Sequence, residues 1–243
     1  MTKLSVNVNK LATLRNAREK NNPDVLKMVL DIIAYGAQGI TVHPRPDGRH
    51  IRKEDVYNIA EAIDVEFNIE GYPDEDFLQL IKEVRPAQCT LVPDPPHVLT
   101  SNAGWLIEKN VRFLQETITE LHQYGVRTSL FVDPHSLSAK DIELLKATGT
   151  DRVELYTEAY ADDYGTEKQI STLELYKRVA MAVNQLGIEL NAGHDLSLFN
   201  LRHFIREIPS IQEVSIGHAL ICDALYFGMQ ETVSRYLYCL RSS

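Results

Sequence analysis

The sequence predicts an α/β protein in which eight strands alternate with helices and close into a (β/α)8 barrel. The first observation is the alternation itself, because short apolar runs typical of buried strands are separated by segments with helical periodicity. The second is the length of 243 residues, which fits eight such units. The third is the lack of a linker or low-complexity stretch in the sequence, so we expect one barrel domain over residues 1–243.

An open, doubly wound parallel sheet is the alternative architecture. Such a sheet usually carries a glycine-rich turn after its first strand. Here the first predicted strand is followed by Asn7, Asn9 and Lys10 instead. The barrel is therefore the favoured prediction.

Each predicted strand is a short apolar or alternating segment that ends at polar or small residues. The predicted strands are residues 4–8, 40–42, 65–69, 88–92, 127–132, 152–156, 188–191 and 213–216. The carboxyl ends of parallel barrel strands meet on one face, where active sites of this fold lie. The residues that follow these strands are therefore the candidates for a functional site.

The predicted helices follow from apolar residues at three- and four-residue spacing and from proline and glycine at their ends. The first starts at the Asn-Pro-Asp sequence of residues 22–24 and ends at Gly36. The others are residues 53–63, 74–84, 110–124, 138–147, 171–186 and 198–205, together with a helical segment that reaches residue 240. Residues 161–169 form a polar loop, either a mobile lid over the site or an ordinary surface loop.

Composition and charge limit the possible functions. A net charge of -9 and a pI of about 5.4 disfavour a general nucleic-acid surface, although a local basic pocket stays possible. Three scattered cysteines predict reduced thiols in a cytoplasmic protein and no zinc motif. The N-terminal segment lacks the apolar run of a signal peptide, and no apolar run approaches the roughly 18 residues of a membrane span. We therefore expect neither nucleic acid nor membrane as a partner.

The segment GITVHPRPDGRHI, residues 39–51, concentrates basic groups after the second strand. His43, Arg45, Arg49 and His50 follow the strand at once, in a loop bent by two prolines and an Asp-Gly turn. Neighbouring cations repel one another, so such a loop gains little unless it receives phosphate or carboxylate. A solvated basic loop explains this segment equally well when it is considered alone.

The other strand ends carry acids, bases and small residues at the same predicted face. They are Asn7, Asn9 and Lys10; Glu70; Thr100 in a long loop; Asp133; Glu154; Gly193 and His194; and Gly217 and His218. Glutamates in a partly dry barrel mouth would have raised pKa values and act as bases, whereas histidines titrate near neutrality and move protons. Their joint position therefore predicts an acid–base site.

Basic residues in two separate regions predict that the ligands carry two anionic groups. Arg18, Arg45 and His50 are the candidates to bind phosphate oxygens. Gly193 and Gly217 lie in the last two strand-to-helix turns, where barrels often bind phosphate through backbone N–H groups. A divalent metal is the weaker alternative, because no HxH or HExxH spacing occurs and the arginines would repel a cation.

Several segments form an unusual set that runs in order to about residue 223. They are ATLRNAR, GITVHPRPDGRHI, FNIEGY, TLVPD, RVELYTE, LNAGHDLS and SIGHALI. Together they resemble the PdxJ family, the pyridoxine 5'-phosphate synthases of vitamin B6 biosynthesis, over essentially the whole chain. The resemblance implies a TIM barrel with additional helices, assembled as a homo-octamer.

The resemblance also implies a transferase that closes a ring by condensation. It would join 1-deoxy-D-xylulose 5-phosphate to 3-amino-2-oxopropyl phosphate and release pyridoxine 5'-phosphate, phosphate and water, with no redox cofactor and no metal. Two other classes stay open: a phosphosugar isomerase or aldolase on the same fold, and a non-catalytic metabolite-binding protein. A Schiff-base aldolase would need a lysine at a strand end, and Lys10 is the candidate.

Roles follow from the resemblance position by position. His43 matches the family's catalytic base, Glu70 its catalytic glutamate and His194 its proton donor. Glu154 matches a further acidic residue at the site. The positions that match the deoxyxylulose phosphate site are Arg45, His50 and Thr100. The positions that match the amino-ketone phosphate site are Asn7, Arg18, Gly217 and His218.

Four positions depart from the family pattern or have no assigned role in it. Asn9 and Lys10 stand where the family commonly has aspartate and histidine; both can still bind a sugar phosphate, but proton transfer at Asn9 is not expected. Asp195 follows His194 where the family often has glycine. Its backbone N–H could serve phosphate with the carboxylate turned away, or its side chain could cap the next helix. Arg49 has no assigned role, and we expect it to pair with an acidic residue.

Overall fold

Eight parallel strands form a closed barrel in a computed structural model that describes residues 1–18, 20–93 and 103–241. Every strand pairs with its neighbours in sequence, and the last pairs with the first. The strands are β1 (Lys3–Asn7), β2 (Gly39–Val42), β3 (Glu66–Gly71), β4 (Gln88–Leu91), β5 (Arg127–Val132), β6 (Arg152–Tyr156), β7 (Glu189–His194) and β8 (Ile211–Ile216). The TIM-barrel prediction is confirmed, and the open-sheet alternative is wrong.

Helices surround the barrel on its outer side. They are α1 (Asn9–Asn16), α2 (Val25–Ala34), α3 (Lys53–Ala62), α4 (Glu75–Val84), α5 (Ile107–Gln123), α6 (Ala139–Thr148), α7 (Glu158–Asp163), α8 (Gln169–Gln185), α9 (Leu201–Glu207), α10 (His218–Phe227) and α11 (Met229–Leu240). Short polar side chains start several of them: Asp24, Asp74 and Ser138 each accept a backbone N–H in the first turn. These caps fix where α2, α4 and α6 begin.

Two of these helices lie where the sequence predicted none. α1 forms in the polar stretch after β1 because Arg15 on its inner face is buried and paired with Asp55, with N–O distances of 2.5 and 2.9 Å. α7 occupies the first part of the predicted loop 161–169, so the connection to α8 shrinks to residues 164–168. The C-terminal helical segment is divided into α10 and α11 at Gly228, whose φ of +77° ends the first of them.

The two faces of the strands have different chemistry. Alternate residues such as Leu4 and Val6 pack outward into the apolar core beneath the helices. The intervening residues are polar and bond from strand to strand inside the barrel: Ser5 to Thr41 at 2.7 Å, and Thr90 to Asn68 at 3.0 Å. The barrel therefore has an apolar outer layer and a polar interior that leads to the mouth.

Ion pairs close the amino end of the barrel. Glu66 accepts hydrogen bonds from Lys3 at 3.1 Å, from Arg152 at 3.3 Å and from Arg127. Arg152 also pairs with Glu189 at 2.8 Å. All five residues are the first of their strands. We call this set (Lys3, Glu66, Arg127, Arg152 and Glu189) the amino-end network.

Metal-ligand clusters and membrane-spanning helices are absent from the described ranges. No group of three or more His, Cys, Asp or Glu side chains there has the arrangement of metal ligands. No helix among the same residues is long and apolar enough to cross a bilayer. The three cysteines are free thiols, of which Cys89 is buried.

Candidate active site

A cavity of about 290 Å³ opens at the carboxyl ends of the strands. Predicted site residues from six of the eight strand ends line it together. They are Asn7, Asn9, Lys10, His43, Arg45, His50, Glu70, Glu154, His194, Gly217 and His218. Barrel closure thus gathers residues that are up to about two hundred positions apart in sequence, as the fold requires.

Arg18 and Asp195 do not line this cavity. Arg18 is exposed just beyond the end of α1, where its backbone N–H bonds to the carbonyl of Arg15. Asp195 lies beside His194 rather than on the cavity wall. Thr100 falls outside the described residues.

Other residues line the cavity although the sequence did not single them out for it. They are Thr13, Arg49, Val92, Phe131 and Ser215. Thr13 reaches the cavity through α1, where its hydroxyl bonds to the carbonyl of Asn9 at 3.1 Å. Strand alternation could have predicted Phe131 and Ser215 as cavity residues, because each lies two positions after an inward-facing residue of the same strand. Arg49 pairs with Asp47 as expected, at 2.8 Å, and also reaches the cavity.

α1 and its start hold the basic loop after β2 in place. The side chain of Asn9 accepts the backbone N–H of His43 at 2.9 Å. Asn16 donates to the carbonyl oxygens of Gly48 and His50, at 3.2 and 2.8 Å. The ring Nδ1 of His50 accepts the N–H of Ile51 at 2.9 Å, which leaves Nε2 for a ligand. Asn9 therefore has a structural task that does not depend on a carboxylate at this position.

Burial and positive neighbours keep two histidines of this loop neutral. His43 is buried, and burial together with Arg45 and His50 holds its pKa well below the usual range. Burial and the nearby Arg45 and Arg49 lower the pKa of His50 to about 4. Near neutral pH both rings are therefore neutral, and the lone pair of His50 lies on Nδ1, where it accepts the Ile51 N–H. His43 is thus suited to accept a proton, and its Nδ1 lies 3.8 Å from the carboxylate of Glu70.

Glu154 is buried and Glu70 is largely buried, and both acids line the cavity. Burial raises the pKa of both groups. The pKa of Glu154 is raised further by the charge of Glu70, and that of Glu70 by the charge of Glu213. Mutual repulsion disfavours the state in which all these carboxyl groups are ionised. The floor of the cavity can therefore hold a proton near neutral pH and release it to a reacting group.

His194 ends β7 in an unusual backbone conformation. Its φ is +91°, in the region that non-glycine residues rarely adopt. Burial opposes protonation of its ring, but the hydrogen bond and charge of Asp195, together with the charge of Glu154, raise its pKa above the usual value. The pKa values of His43 and His194 are thus shifted in opposite directions, which divides base and acid roles between them.

Two glycines allow backbone to approach the cavity. A Cβ at Gly193 would collide with the carbonyl of Ser215 and come within 3.1 Å of Glu154. A Cβ at Gly217 would lie 3.0 Å from the side chain of Asn7. Gly217 directly precedes α10, whose first N–H groups have no partner within the helix. This edge of the cavity is suited to an anionic group.

Comparison with known proteins gives concordant matches. The family described as "Pyridoxal phosphate biosynthesis protein PdxJ" matches residues 4–242. A pyridoxine 5'-phosphate synthase of Porphyromonas gingivalis is 54% identical over 236 residues, which cover 97% of this chain and 98% of that protein. One from Bacteroides fragilis is 54% identical over 241 residues, with coverages of 99% and 100%. Phosphoribosylanthranilate isomerase from Thermotoga maritima has a TM-score of 0.61 at 13% identity, covering 99% and 98%, which supports the fold alone.

Proposed function

This chain belongs to the PdxJ family, and from that we propose that its barrel mouth is the site at which pyridoxine 5'-phosphate is made. The activity is that of a pyridoxine 5'-phosphate synthase, an enzyme of vitamin B6 biosynthesis. The substrates in this proposal are 1-deoxy-D-xylulose 5-phosphate and 3-amino-2-oxopropyl phosphate. The observation that carries the assignment of the site is one cavity in which a histidine with a lowered pKa, a histidine with a raised pKa and two largely buried acids meet basic groups.

The two phosphate groups are placed on two different sets of cavity residues in this proposal. Arg45 and His50, in the loop after β2, would hold the phosphate end of the deoxyxylulose substrate, with Thr100 as a further ligand. The turn before α10 would hold the amino-ketone phosphate. Its ligands would be Asn7, Asn9, Lys10, Gly217 and His218. Binding of both phosphate groups would hold the amine of one substrate close to the ketone of the other. This proximity supplies much of the rate enhancement.

The chemistry starts when the amine attacks the ketone and a Schiff base forms with loss of water. Proton removal, loss of phosphate, addition and elimination of water and ring closure then give the aromatic ring. Neutral His43 and the carboxylates of Glu70 and Glu154 would accept protons, and protonated His194 would donate one to a leaving oxygen. Each such acid–base step is worth about 10²–10⁴-fold.

The assembly and location in this proposal follow from the family resemblance and the composition. We propose one barrel domain over residues 1–243, a homo-octamer and a cytoplasmic location, with small phosphorylated metabolites and neither nucleic acid nor membrane as partners. Arg18 does not line the cavity of its own chain. We retain it as a phosphate ligand within such an assembly only.

A single assay tests this function against an isomerase or aldolase. Purified protein receives both phosphorylated substrates, and pyridoxine 5'-phosphate is followed by absorbance and by mass. We expect the product only when both substrates are present. Conversion of either substrate alone, or no product from the pair, would contradict the proposal.

Substitution of Lys10 separates the two chemistries further. A Schiff-base aldolase would lose all turnover in Lys10→Met, because no other lysine lines the described cavity wall. In the proposed synthase Lys10 contacts phosphate, so the variant should raise KM and keep turnover. Arg112→Ala, on the exposed face of α5, is the control for loss of a positive charge far from the site.

A further inference from the structure

Asp195 contacts His194 directly, although the proposed chemistry gives it no task. Its Oδ2 lies 2.8 Å from the ring Nδ1 of His194. The two side chains are 32% and 42% exposed, so the pair lies at the rim of the cavity, where solvent screens it only in part. Asp195 does not cap the following helix, because Asn200 occupies the N-cap position of α9.

The turn after β7 is held on several sides. The backbone N–H of Asp195 lies 3.4 Å from the hydroxyl oxygen of Thr157, and Asn200 donates to the Asp195 carbonyl at 3.5 Å. The ring of Tyr156 packs edge-on against the imidazole, with centroids 5.5 Å apart. These contacts hold His194 at its positive φ. Two side chains that are adjacent in sequence are thereby brought into hydrogen-bonding distance.

We propose that Asp195 is a positioning residue for His194, which fixes the ring through Nδ1 and stabilises its protonated form. With Nδ1 engaged, Nε2 is the nitrogen that the ring presents to the cavity. In the donating step the Nε2–H bond breaks and an O–H bond forms on the leaving oxygen. The bonding electron pair stays on Nε2 of the neutral ring. The inference rests on the proposed function for the identity of the proton acceptor.

The charges around His194 agree with this arrangement. Asp195 from the turn, Glu154 from β6 and Glu158 from α7 all favour the imidazolium. Across the cavity, His43 is neutral near pH 7, so it does not oppose that charge. Burial of the ring acts in the other direction. Asp195 is the acid that contacts the ring, so its removal should have the largest single effect.

The first test is the titration of His194 in the substrate-free protein, followed by NMR of labelled histidine. An opposite charge at this distance shifts a pKa by about 1 or more. We therefore expect the pKa of His194 to fall by about 1 in Asp195→Asn. The alkaline limb of kcat should move down by the same amount, so that kcat falls about tenfold at pH 8 and little at pH 6, with KM unchanged.

Two variants separate this role from a general charge effect. Asp195→Glu keeps the carboxylate and should restore both the titration and the pH profile in large part. Asp162→Asn, on the exposed face of α7, removes the same charge without touching the imidazole and should change neither. An unchanged His194 titration in Asp195→Asn, or an equal change in Asp162→Asn, would overturn the inference.

The outcome does not depend on the synthase assay or on the stability of one variant. The titration of His194 needs no substrate. It can therefore contradict the role of Asp195 while product still forms, or support that role while no product forms. If Asp195→Asn does not fold, the ¹⁵N spectrum of the unmodified protein decides. A hydrogen-bonded Nδ1–H supports the pair, and a neutral ring with its proton on Nε2 overturns it.

Discussion

Carboxyl groups at the two ends of the barrel have opposite electrostatic surroundings. At the amino end, Glu66 receives hydrogen bonds from Lys3, Arg127 and Arg152. At the mouth, Glu70 lies four residues further along the same strand, and its carboxylate lies 3.8 Å from Nδ1 of neutral His43. The same residue type on the same strand is therefore neutralised at one end and left with a raised pKa at the other.

This difference indicates what each end contributes. The amino-end network joins the starts of five strands, so its charges hold the closed barrel together. Buried acids without a full set of partners cost folding free energy and have pKa values near the pH at which they would exchange protons. The mouth is thus less stabilised than the amino end, as expected if it is the proposed active site.

The largest expected effect tests this contrast at Glu70. Glu70→Gln removes a proton-exchanging group, and turnover should fall by at least about 10²-fold. Because burial raises the pKa of Glu70, the same change should raise the thermal midpoint at pH 8. Steady-state kinetics and a thermal melt of one preparation measure both.

Glu66→Gln is the matched comparison on the same strand. It leaves Arg127 and Arg152 with less compensating charge and should destabilise the fold by about 3 kcal/mol. Turnover per folded molecule should stay close to that of the unmodified protein. Near-normal turnover in Glu70→Gln, or an unchanged thermal midpoint in Glu66→Gln, would contradict this difference between the mouth and the amino end.

A smaller effect is expected at Arg45, a buried cation at the mouth. Arg45→Ala should raise the KM for the deoxyxylulose phosphate about tenfold or more, because charge-assisted bonds to phosphate are worth about 1.5–3 kcal/mol. The KM for the amino-ketone phosphate should change less, which initial-rate kinetics with each substrate varied can measure. Arg112→Ala should alter neither constant. Equal changes in both KM values would remove Arg45 from a single phosphate site.

The smallest effect concerns Glu213, which lies on β8 inside the barrel. Burial raises its pKa to about 7 although Arg152 acts in the opposite direction, and within the described part of the chain neither carboxylate oxygen has a hydrogen-bond partner. The folded state therefore keeps a proton that the unfolded chain loses near pH 4.5. Stability from this group is present below about pH 4.5 and is lost as the pH rises through about 7.

Glu213→Gln should accordingly stabilise the protein at pH 8 and raise its thermal midpoint by a few °C. At pH 5 the gain should largely disappear. Melts of both proteins across this range measure the difference. A gain that does not depend on pH would show that packing rather than ionisation sets the cost.

The strands were predictable because each carries its own local signal. β5 and β6 have the predicted bounds, since apolar alternation is bounded by charged residues and turns. α1 was missed in part for a non-local reason: besides Leu11 and Ala12 its buried face includes Arg15, which is paired with Asp55 on α3. The amino-end network was missed for the same reason. Closure of the barrel buries the charged residues at the strand starts, and the local sequence does not indicate this burial.

The mouth was predicted in large part because strand ends of a barrel converge. His43, Glu70 and His194 line one cavity for that reason. The sequence did not predict that Asp195 would contact His194, because the contact depends on a positive φ that non-glycine residues rarely adopt. It did not predict the part played by α1 in holding the basic loop either, because the helix itself was missed.

The backbone at His194 has a consequence for protein engineering. Glycine and asparagine adopt a positive φ more easily than histidine does. A library selected for heat resistance alone would therefore enrich those two residues at position 194 and discard the proposed proton donor. Directed evolution of this scaffold needs an activity screen in every round, because at this position the variants with the highest thermal stability are expected to have the lowest turnover.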